Sequence, residues 1–226
     1  MKKRAIVTDS QRRGEAGPTL DGRAAPHPLV GARFIIGAAQ ASQLPGEGAP
    51  EIAFAGRSNA GKSSAINALA NHGGLAFASR TPGRTQQINF FALRSGALIA
   101  DLPGYGYAAV SKSLKRDWQD FLWHYVTTRD NLVALVLLVD ARHGIAKADW
   151  PVLEAIVPSG RPVLVLATKA DKLGTSAQRT ALAEIEKQIR QMFTIGAANV
   201  IAQLFSATTR QGVAEAEATI ASWTPG

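Results

Sequence analysis

The chain contains no cysteine, and this absence excludes disulfides, thiolate metal sites and cysteine nucleophiles. It fits a reducing compartment. The longest strongly apolar run, LVALVLLV (132–139), is far shorter than the roughly 20 residues that a membrane helix needs. The start, MKKRAIVTDSQRRG, is basic but has no apolar h-region, so it does not predict a secretory signal. We therefore expect a cytoplasmic protein without a membrane partner.

The charge of the chain is unbalanced towards the basic side. Its 226 residues include 25 Lys+Arg against 17 Asp+Glu, a net charge of +8 that suggests a polyanionic partner. Residues 1–33 hold seven of the basic residues and three of the acidic ones, so half of the net charge lies there. Residues 1–28 are also rich in Gly and Pro and lack periodicity, which predicts a flexible basic arm. The alternative is an extension without a function of its own.

Beyond residue 50, short apolar runs alternate with helix-patterned segments, which is typical of a mostly parallel sheet covered on both faces. Two runs are separated only by RSG (94–96), which predicts a hairpin and one antiparallel edge strand. We predict an α/β fold with a six-stranded sheet, in a single monomeric domain over residues 29–226. The predicted strands are 51–56, 87–93, 97–102, 132–140, 162–168 and 200–207; the predicted helices are 62–70, 113–128, 147–157, 176–193 and 210–222; and ARFIIGAAQASQLP (32–45) is predicted to be a strand or short helix beside the domain.

The stretch GRSNAGKSS (56–64) follows the first of these runs and leads into a helix-patterned segment. Its spacing, Gly56-x-x-x-x-Gly61-Lys62-Ser63, is the phosphate-binding loop pattern between a strand and a helix. Backbone N–H groups of such a loop form an anion nest, Gly61 lets the backbone approach phosphate, and Lys62 reaches the β- and γ-phosphates. The alternative is a glycine-rich turn capped by serine. Nucleotide binding is predicted for the whole loop, which comprises Gly56, Arg57, Ser58, Asn59, Ala60, Gly61, Lys62, Ser63 and Ser64.

Two later motifs indicate which base the nucleotide carries. TKAD (168–171) ends the fifth apolar run, and FSA (205–207) ends the sixth. A carboxylate at Asp171 accepts hydrogen bonds from guanine N1–H and the N2 amino group, whereas adenine would leave it unpaired. An unpaired buried charge costs about 2–5 kcal/mol, enough to select guanine. The predicted base-side residues are Thr168, Lys169, Ala170, Asp171, Phe205, Ser206 and Ala207, with the Lys169 stem over the base and backbone N–H groups of FSA at guanine O6.

Two further motifs are predicted to contact the γ-phosphate and Mg²⁺. In DLPG (101–104), Asp101 is predicted to hold Mg²⁺ through a water, and the Gly104 N–H to meet the γ-phosphate. In TPGRT (81–85), Thr85 is predicted to bind Mg²⁺ only when the γ-phosphate is present, so that GTP orders this loop; taken alone, the segment would be a simple turn. The predicted metal ligands are Ser63, Thr85 and Asp101, the residues predicted to act in hydrolysis are Lys62, Thr85 and Gly104, and further predicted nucleotide contacts are Gly83, Arg84, Gln86, Gln87, Leu102 and Pro103.

The motifs GRSNAGKSS, TPGRTQ, DLPGYGYA, TKADKL and FSA…QGV resemble the EngB/YihA (YsxC-type) family of bacterial GTPases, in the TrmE-Era-EngA-EngB-Septin-like class. The resemblance runs from residue 34 to about residue 223 and leaves the arm uncovered. It implies the Ras-like P-loop GTPase fold and GTP hydrolysis with Mg²⁺. It also implies a role in assembly of the large ribosomal subunit, with the subunit precursor and its rRNA as partners, and a requirement in cell division and septation.

Four residues need separate interpretation. Many GTPases have Asn where this chain has Thr168, which cannot make the same amide contacts to the phosphate loop, so we expect modest nucleotide affinity. Tyr105 stands where Ras-like enzymes have a water-orienting glutamine, which predicts slow turnover or dependence on a partner. Tyr105 and Tyr107 are either recognition residues or pack against the next helix. Asn59 either braces the loop or, as in some GTPases like Era and TrmE, helps to bind K⁺ beside the phosphates.

The helix-patterned segment SLKRDWQDFLWHYVTTR (113–129) carries Trp118, Leu122 and Tyr125 at core-facing spacing, which favours packing over a nucleic-acid stacking surface. For the whole chain, the leading hypothesis is a GTP-hydrolysing switch that binds ribosomal precursor particles. The alternative is a non-catalytic, GTP-gated module that binds rRNA. A small-molecule kinase is disfavoured, because such an enzyme has no use for TKAD and FSA.

Overall fold

A computed structural model of the chain describes residues 29–76, 87–105, 112–193 and 199–224, with residues 112–119 described at the level of the backbone. The strands are β1 (Arg33–Ala38), β2 (Glu51–Gly56), β3 (Ile88–Ala92), β4 (Leu98–Asp101), β5 (Leu132–Asp140), β6 (Val163–Thr168) and β7 (Val200–Leu204). The helices are α1 (Lys62–Leu69), α2 (Lys112–Thr128), α3 (Trp150–Ile156), α4 (Thr175–Met192) and α5 (Val213–Ala221).

The strands form one sheet in the order β1-β3-β4-β2-β5-β6-β7. Strand β2 lies at its centre and pairs in parallel with β4 and β5, and β6 and β7 continue the parallel arrangement. The predicted α/β class and the mostly parallel sheet are therefore confirmed. Because the carboxyl ends of parallel strands meet at one edge, the segments that follow β2, β4, β5, β6 and β7 converge there.

The predicted count of six strands is wrong, because β1 adds a seventh outside the hairpin. Strand β3 pairs antiparallel with β4, as predicted, and its other edge pairs antiparallel with β1. The one strand that runs against the rest therefore lies second from the edge. Phe34 in β1 packs edge-to-face on Phe91 at 5.8 Å between ring centroids, yet it remains 55% exposed. A half-exposed strand with a register shift between Phe34 and Ile36 gives a weak pattern in the sequence.

Helices cover both faces of the sheet, as predicted. Alternate residues of β2 point to opposite faces: Ala53 and Ala55 belong to one core cluster, Ile52 and Phe54 to the other. All six β2 residues are buried, and a side chain as large as Phe54 contributes about 1.5–3 kcal/mol when fully buried. The first cluster is completed by α2, α3 and α4 through Leu122, Tyr125, Leu153 and Ile185, and the second by α1 and α5 through Ile66, Leu69, Val213 and Ile220.

The core-facing stripe predicted for α2 is confirmed where side chains are described. Leu122 and Tyr125 are buried, whereas Trp123, on another side of the helix, is 49% exposed. The side chain of Trp118 lies outside the described residues. Within the described part of the chain, no helix combines the length and apolar character needed to cross a bilayer.

A buried carboxylate anchors α2 at the end of the sheet opposite the phosphate loop. Glu51, the first residue of β2, is fully buried and forms an ion pair with Arg129 just after α2. The Tyr125 hydroxyl donates to Glu51 Oε2 at 2.8 Å, and Arg129 also donates to the Pro45 carbonyl oxygen at 2.7 Å. Because a buried charge is stable only when it is paired and hydrogen-bonded, this network determines where α2 ends against β2.

Replacing Tyr125 with Phe should therefore lower the free energy of unfolding by about 1.5–3 kcal/mol, because the variant loses a hydrogen bond to a charged, buried group. Urea denaturation measures the change. Thr127→Ala is the matched control, since its hydroxyl bonds to the Trp123 carbonyl oxygen on the exposed side of the same helix. The control should change stability by less than about 0.5 kcal/mol. Equal losses in the two variants would contradict the anchoring role of Glu51.

Candidate nucleotide-binding site

The phosphate loop lies where the sequence pattern predicts it, between the carboxyl end of β2 and the first turn of α1. Gly61 adopts a left-handed conformation with φ of 94°, and Asn59 does so with φ of 67°. A Cβ at Gly56 would lie 2.7 Å from the Leu138 carbonyl oxygen of β5, so only glycine fits at that position. The loop thus passes close to β5 and turns directly into a helix N-terminus, a geometry suited to an anion.

Thr168, at the end of β6, braces this loop. Its hydroxyl oxygen lies 2.5 Å from the Ala60 carbonyl oxygen and 3.0 Å from the Val139 carbonyl oxygen, and the residue is 2% exposed. Threonine has no side-chain amide to offer the loop, as the sequence indicates, but its hydroxyl reaches a backbone carbonyl oxygen of the loop instead. The affinity for nucleotide that we inferred from it stays a prediction.

Lys169 adds a second brace. Its ammonium donates to the Asn59 carbonyl oxygen at 2.7 Å and lies 3.1 Å from Asp140 Oδ2 at the end of β5. This contact uses only the backbone of Asn59, so a bracing role of its side chain stays a prediction. A role of its side chain in binding K⁺ stays a prediction.

The candidate phosphate end of the site holds one closely paired lysine and carboxylate. Lys62, the first residue of α1, forms an ion pair with Asp101 at the end of β4, and the two side chains are 11% and 6% exposed. Ser63 follows Lys62 directly. A carboxylate and a serine hydroxyl are oxygen ligands of the kind that Mg²⁺ prefers, and a lysine beside them suits phosphate. The residues present therefore fit a nucleotide with Mg²⁺.

The DLPG motif lies directly on the phosphate loop. The Leu102 N–H donates to the Phe54 carbonyl oxygen at 2.9 Å, which continues the pairing of β4 with β2. A Cβ at Gly104 would lie 3.0 Å from Ser58 Oγ and 3.1 Å from the Ser58 backbone, so the two segments touch. Of the two tyrosines that follow, Tyr105 turns inward and its hydroxyl donates to Asp149 Oδ1 at 2.7 Å, whereas Tyr107 lies outside the described residues.

The two base-side motifs also meet. The Ala170 N–H donates to the Phe205 carbonyl oxygen at 3.1 Å, and the Ser206 hydroxyl donates to Asp171 Oδ1 at 2.6 Å. This hydrogen bond, with Lys172 Nζ at 3.1 Å from Asp171 Oδ2, holds the pKa of the Asp171 carboxyl below its usual range. Asp171 is therefore ionised at neutral pH and can accept hydrogen bonds from two donors of a ligand.

The segment with Gly83, Arg84, Thr85 and Gln86 lies outside the described residues, so its predicted contacts stay predictions. Gln87 is described. Its amide donates to Asn89 Oδ1 at 2.9 Å, and it lies so close to β1 that a Cβ at Gly37 would be 2.4 Å from its amide carbon. This position at the β1–β3 edge gives no support for the predicted nucleotide contact of Gln87.

Two aspartates beside the phosphate loop were missed from the sequence. Asp140 ends β5 and binds both Arg142 and Lys169, and the hydrogen bonds from Arg142 hold the pKa of its carboxyl well below the usual range. Asp149 precedes α3 and is 1% exposed, and burial raises the pKa of its carboxyl. Both residues line a cleft against Arg57 and Asn59. The position of Asp140 at the carboxyl end of a fully apolar strand was the signal that could have identified it; Asp149 has no such signal.

Known proteins show similarity across most of the chain. A family model described as a 50S ribosome-binding GTPase matches residues 51–169. The chain is 47% identical over 192 residues to the probable GTP-binding protein EngB of Aromatoleum aromaticum, covering 85% of this chain and 87% of that protein. It is 48% identical over 202 residues to the protein of the same name from Cupriavidus taiwanensis, covering 85% of this chain and 84% of that protein.

Solved structures show the same fold. A crystal structure of a probable GTP-binding protein EngB matches with a TM-score of 0.58 and 22% identity, over 76% of this chain and 97% of that one. Era in complex with MgGDPNP and nucleotides 1506–1542 of 16S ribosomal RNA matches with a TM-score of 0.59 and 22% identity, over 79% of this chain and 57% of that one.

The brace by Thr168 can be tested by removing its hydroxyl. Thr168→Val keeps the shape of the side chain but leaves the Ala60 carbonyl oxygen without its donor, so we expect stability to fall by about 1–3 kcal/mol and GTP to bind more weakly. Thermal unfolding and titration with GTP measure the two effects. Thr168→Ser keeps the hydroxyl and should stay close to the parent in both measurements. A valine variant with parental affinity would contradict the brace.

The base specificity should depend on Asp171. Asp171→Asn should weaken GTP binding and favour xanthosine triphosphate, because the amide can donate to the 2-oxo group of xanthine. Competitive titration of both nucleotides measures the preference. Lys172→Ala is the matched control, since it removes the neighbour of Asp171 and keeps the carboxylate that is predicted to face the base. Equal affinity of the parent protein for ATP and GTP would disprove the assignment.

Proposed function

The chain belongs to the EngB family of GTP-binding proteins, which are GTPases, and we propose that it is a GTP-dependent switch in assembly of the large ribosomal subunit. In this role it binds subunit precursors and their rRNA in the cytoplasm, and normal cell division and septation depend on it. GTP binding and release change its affinity for the particle.

The observation that carries the proposal is the convergence of four motifs at one edge of the sheet. Lys62 pairs with Asp101, Gly104 lies on Ser58, and Ser206 holds Asp171. Thr168 then connects the phosphate loop to the base-side motifs through the Ala60 carbonyl oxygen. A nucleoside triphosphate is the ligand class that needs an anion nest, a metal-binding carboxylate and a base-binding carboxylate in this order.

The particle partner is supported by the family description and by charge. The family model that matches residues 51–169 is described as a 50S ribosome-binding GTPase. The net charge of +8 suits a polyanion such as rRNA, and phosphate contacts of basic residues make such binding sensitive to salt. Era, which matches this chain over 57% of its own length, was crystallised with a segment of 16S ribosomal RNA.

We assign the chemistry of hydrolysis to residues around the phosphates. Mg²⁺ bound with GTP supplies positive charge to the phosphates, and Ser63, Thr85 and Asp101, the last through a water, would hold it. Lys62 and the Gly104 N–H would stabilise charge that develops on the γ-phosphate. Because Tyr105 cannot orient water as a glutamine does, and its hydroxyl is bound to Asp149, intrinsic hydrolysis is slow.

The same tyrosine favours a second candidate function, a non-catalytic module whose binding of rRNA is gated by GTP. In that case GTP binding alone controls the particle, and hydrolysis is negligible. Single-turnover hydrolysis with and without ribosomal subunits distinguishes the two functions. Hydrolysis that subunits accelerate supports the switch, and no hydrolysis under either condition supports the module.

Co-sedimentation with ribosomal subunits tests the proposal directly. With a non-hydrolysable GTP analogue, the protein should sediment with large-subunit particles more tightly than with GDP, by about 5- to 150-fold, a coupling of about 1–3 kcal/mol. Small subunits are the control. Equal binding with both nucleotides, or no preference for large-subunit particles, would contradict the proposed function.

The arm and the loop that contains Thr85 should make separable contributions to particle binding. Deleting residues 1–28 should weaken binding and flatten its salt dependence, because phosphate contacts and their counterion release are lost, while the ratio between GTP and GDP states is kept. Thr85→Ala should collapse that ratio and keep the salt-sensitive contribution of the arm. Co-sedimentation at several salt concentrations with each nucleotide measures both quantities.

Two matched controls accompany these variants. Thr85→Ser keeps the hydroxyl and should keep the nucleotide ratio. A full-length variant with glutamine at the basic positions of the arm should reproduce the deletion; these positions are Lys2, Lys3, Arg4, Arg12, Arg13 and Arg23. An arm deletion that abolishes the nucleotide dependence, or a Thr85→Ala variant that retains it, would refute this division.

A further inference from the structure

Asp149 is a buried acidic residue close to the phosphate loop, and no role in nucleotide binding has been assigned to it above. It precedes α3, and its side chain is held from two sides. Its Oδ2 accepts the Ala146 N–H at 2.8 Å, and its Oδ1 accepts the Tyr105 hydroxyl at 2.7 Å. Helix α3 is packed into the core through Val152, Leu153 and Ile156, so Asp149 occupies a well-determined position.

Tyr105 connects Asp149 to the DLPG motif, because it directly follows Gly104. Its backbone forms a parallel bridge with Arg57, and its carbonyl oxygen accepts the Ser58 N–H at 2.9 Å. The Ser58 hydroxyl also lies 3.3 Å from the Gly104 carbonyl oxygen. Gly104 and Tyr105 are thus hydrogen-bonded to the phosphate loop, and the bond from the Tyr105 hydroxyl to Asp149 holds the end of this segment in place.

The tyrosine hydroxyl is a permanent donor in this position. Burial, followed by the charge of Asp149, raises the pKa of Tyr105 well above its usual range, so the hydroxyl keeps its proton at physiological pH. Arg57, whose positive charge acts on both Tyr105 and Asp149, offsets part of the cost of burying the carboxylate. A hydrogen bond between a hydroxyl and a buried carboxylate is of the strong, charge-assisted kind.

We propose that Asp149 is a positioning residue for the DLPG motif: by holding the Tyr105 hydroxyl, it keeps Gly104 on the phosphate loop, where the Gly104 N–H can meet the γ-phosphate. This inference rests on the proposed role of Gly104 in the GTP switch. Tyr105 stands where Ras-like enzymes have a water-orienting glutamine. In this chain its role is instead to hold the DLPG motif in position for the γ-phosphate. The bond therefore raises the affinity for GTP and hardly changes the affinity for GDP, because GDP has no γ-phosphate.

Three variants test the bond: Tyr105→Phe, Asp149→Asn and the double variant. Titration of each with a non-hydrolysable GTP analogue and with GDP gives two dissociation constants. Tyr105→Phe should lower the ratio of GTP-analogue affinity to GDP affinity by about fivefold or more, with GDP affinity within about twofold of the parent. In the double variant this affinity ratio should be no lower than in Tyr105→Phe alone, because both changes remove the same hydrogen bond between Tyr105 and Asp149.

Tyr125→Phe is the matched control, since it removes a tyrosine-to-buried-carboxylate bond of similar length, 2.8 Å to Glu51, at the opposite end of the sheet. It should lower stability and leave the nucleotide ratio unchanged. A steady-state assay supplies a second measurement: Tyr105→Phe should raise KM for GTP more than it changes kcat, because the lost interaction prepares GTP binding.

The outcomes separate this inference from the proposed function. If the parent protein prefers neither nucleotide on the ribosomal particle but Tyr105→Phe lowers the GTP ratio, the positioning role holds and the proposed switch fails. If the parent switches as proposed and Tyr105→Phe leaves the ratio unchanged or raises it, the positioning role is wrong. A double variant that adds the effects of both single changes would also overturn it.

Discussion

The hydroxyl of Thr168 lies between two backbone carbonyl oxygens, and the candidate site depends on this contact. One of them belongs to Ala60 in the phosphate loop, the other to Val139 in β5. A buried carbonyl without a donor costs about 1–3 kcal/mol, so the contact resists movement of the loop away from β5 and β6. It also connects the two parts of the candidate site, because the residues that follow Thr168 are predicted to contact the base and the loop that it holds is predicted to contact the phosphates.

At the candidate phosphate end of the site, two residues of opposite charge form an ion pair. Lys62 and Asp101 are both largely buried, and each satisfies the other. A triphosphate with Mg²⁺ offers a partner to each of them, since phosphate oxygens suit the ammonium and the hydrated cation suits the carboxylate. Binding of the predicted nucleotide with Mg²⁺ would therefore replace one ion pair with two charged contacts and leave neither of the largely buried charges uncompensated.

The two ends of the sheet differ in what their tyrosines hold in place. At the amino end of β2, Tyr125 and Arg129 satisfy Glu51 and hold the end of α2 in the core. At the carboxyl end, Tyr105 donates to Asp149 and ends a segment of the candidate nucleotide site. The first bond lies in the core beside α2, and the second connects the start of α3 to a motif that we propose responds to the γ-phosphate. A ligand shifts such a motif only through contacts that differ between its states.

Sequence alone determined those features that depend on neighbours along the chain. The phosphate loop, TKAD, FSA and DLPG were recognisable because each needs particular residue types at fixed spacing, and the parallel sheet because buried strands read as continuous apolar runs. The family followed from the same motifs. Gly56 belongs to this group as well, although the reason for it, the approach of the Leu138 carbonyl oxygen, became visible only in the fold.

Tertiary structure decided the contacts between residues that are remote in the sequence. Thr168 and Ala60 are 108 residues apart, and Tyr105 and Asp149 are 44 apart. No local pattern encodes such pairs, because a side chain finds its partner only after the strand order has brought both elements to one edge. For the same reason the sequence did not identify β1 as a strand of the sheet: it is exposed and irregular, and only its pairing with β3 makes it part of the sheet. The sequence thus determined the chemistry of the motifs, and the topology of the sheet determined which residues support them.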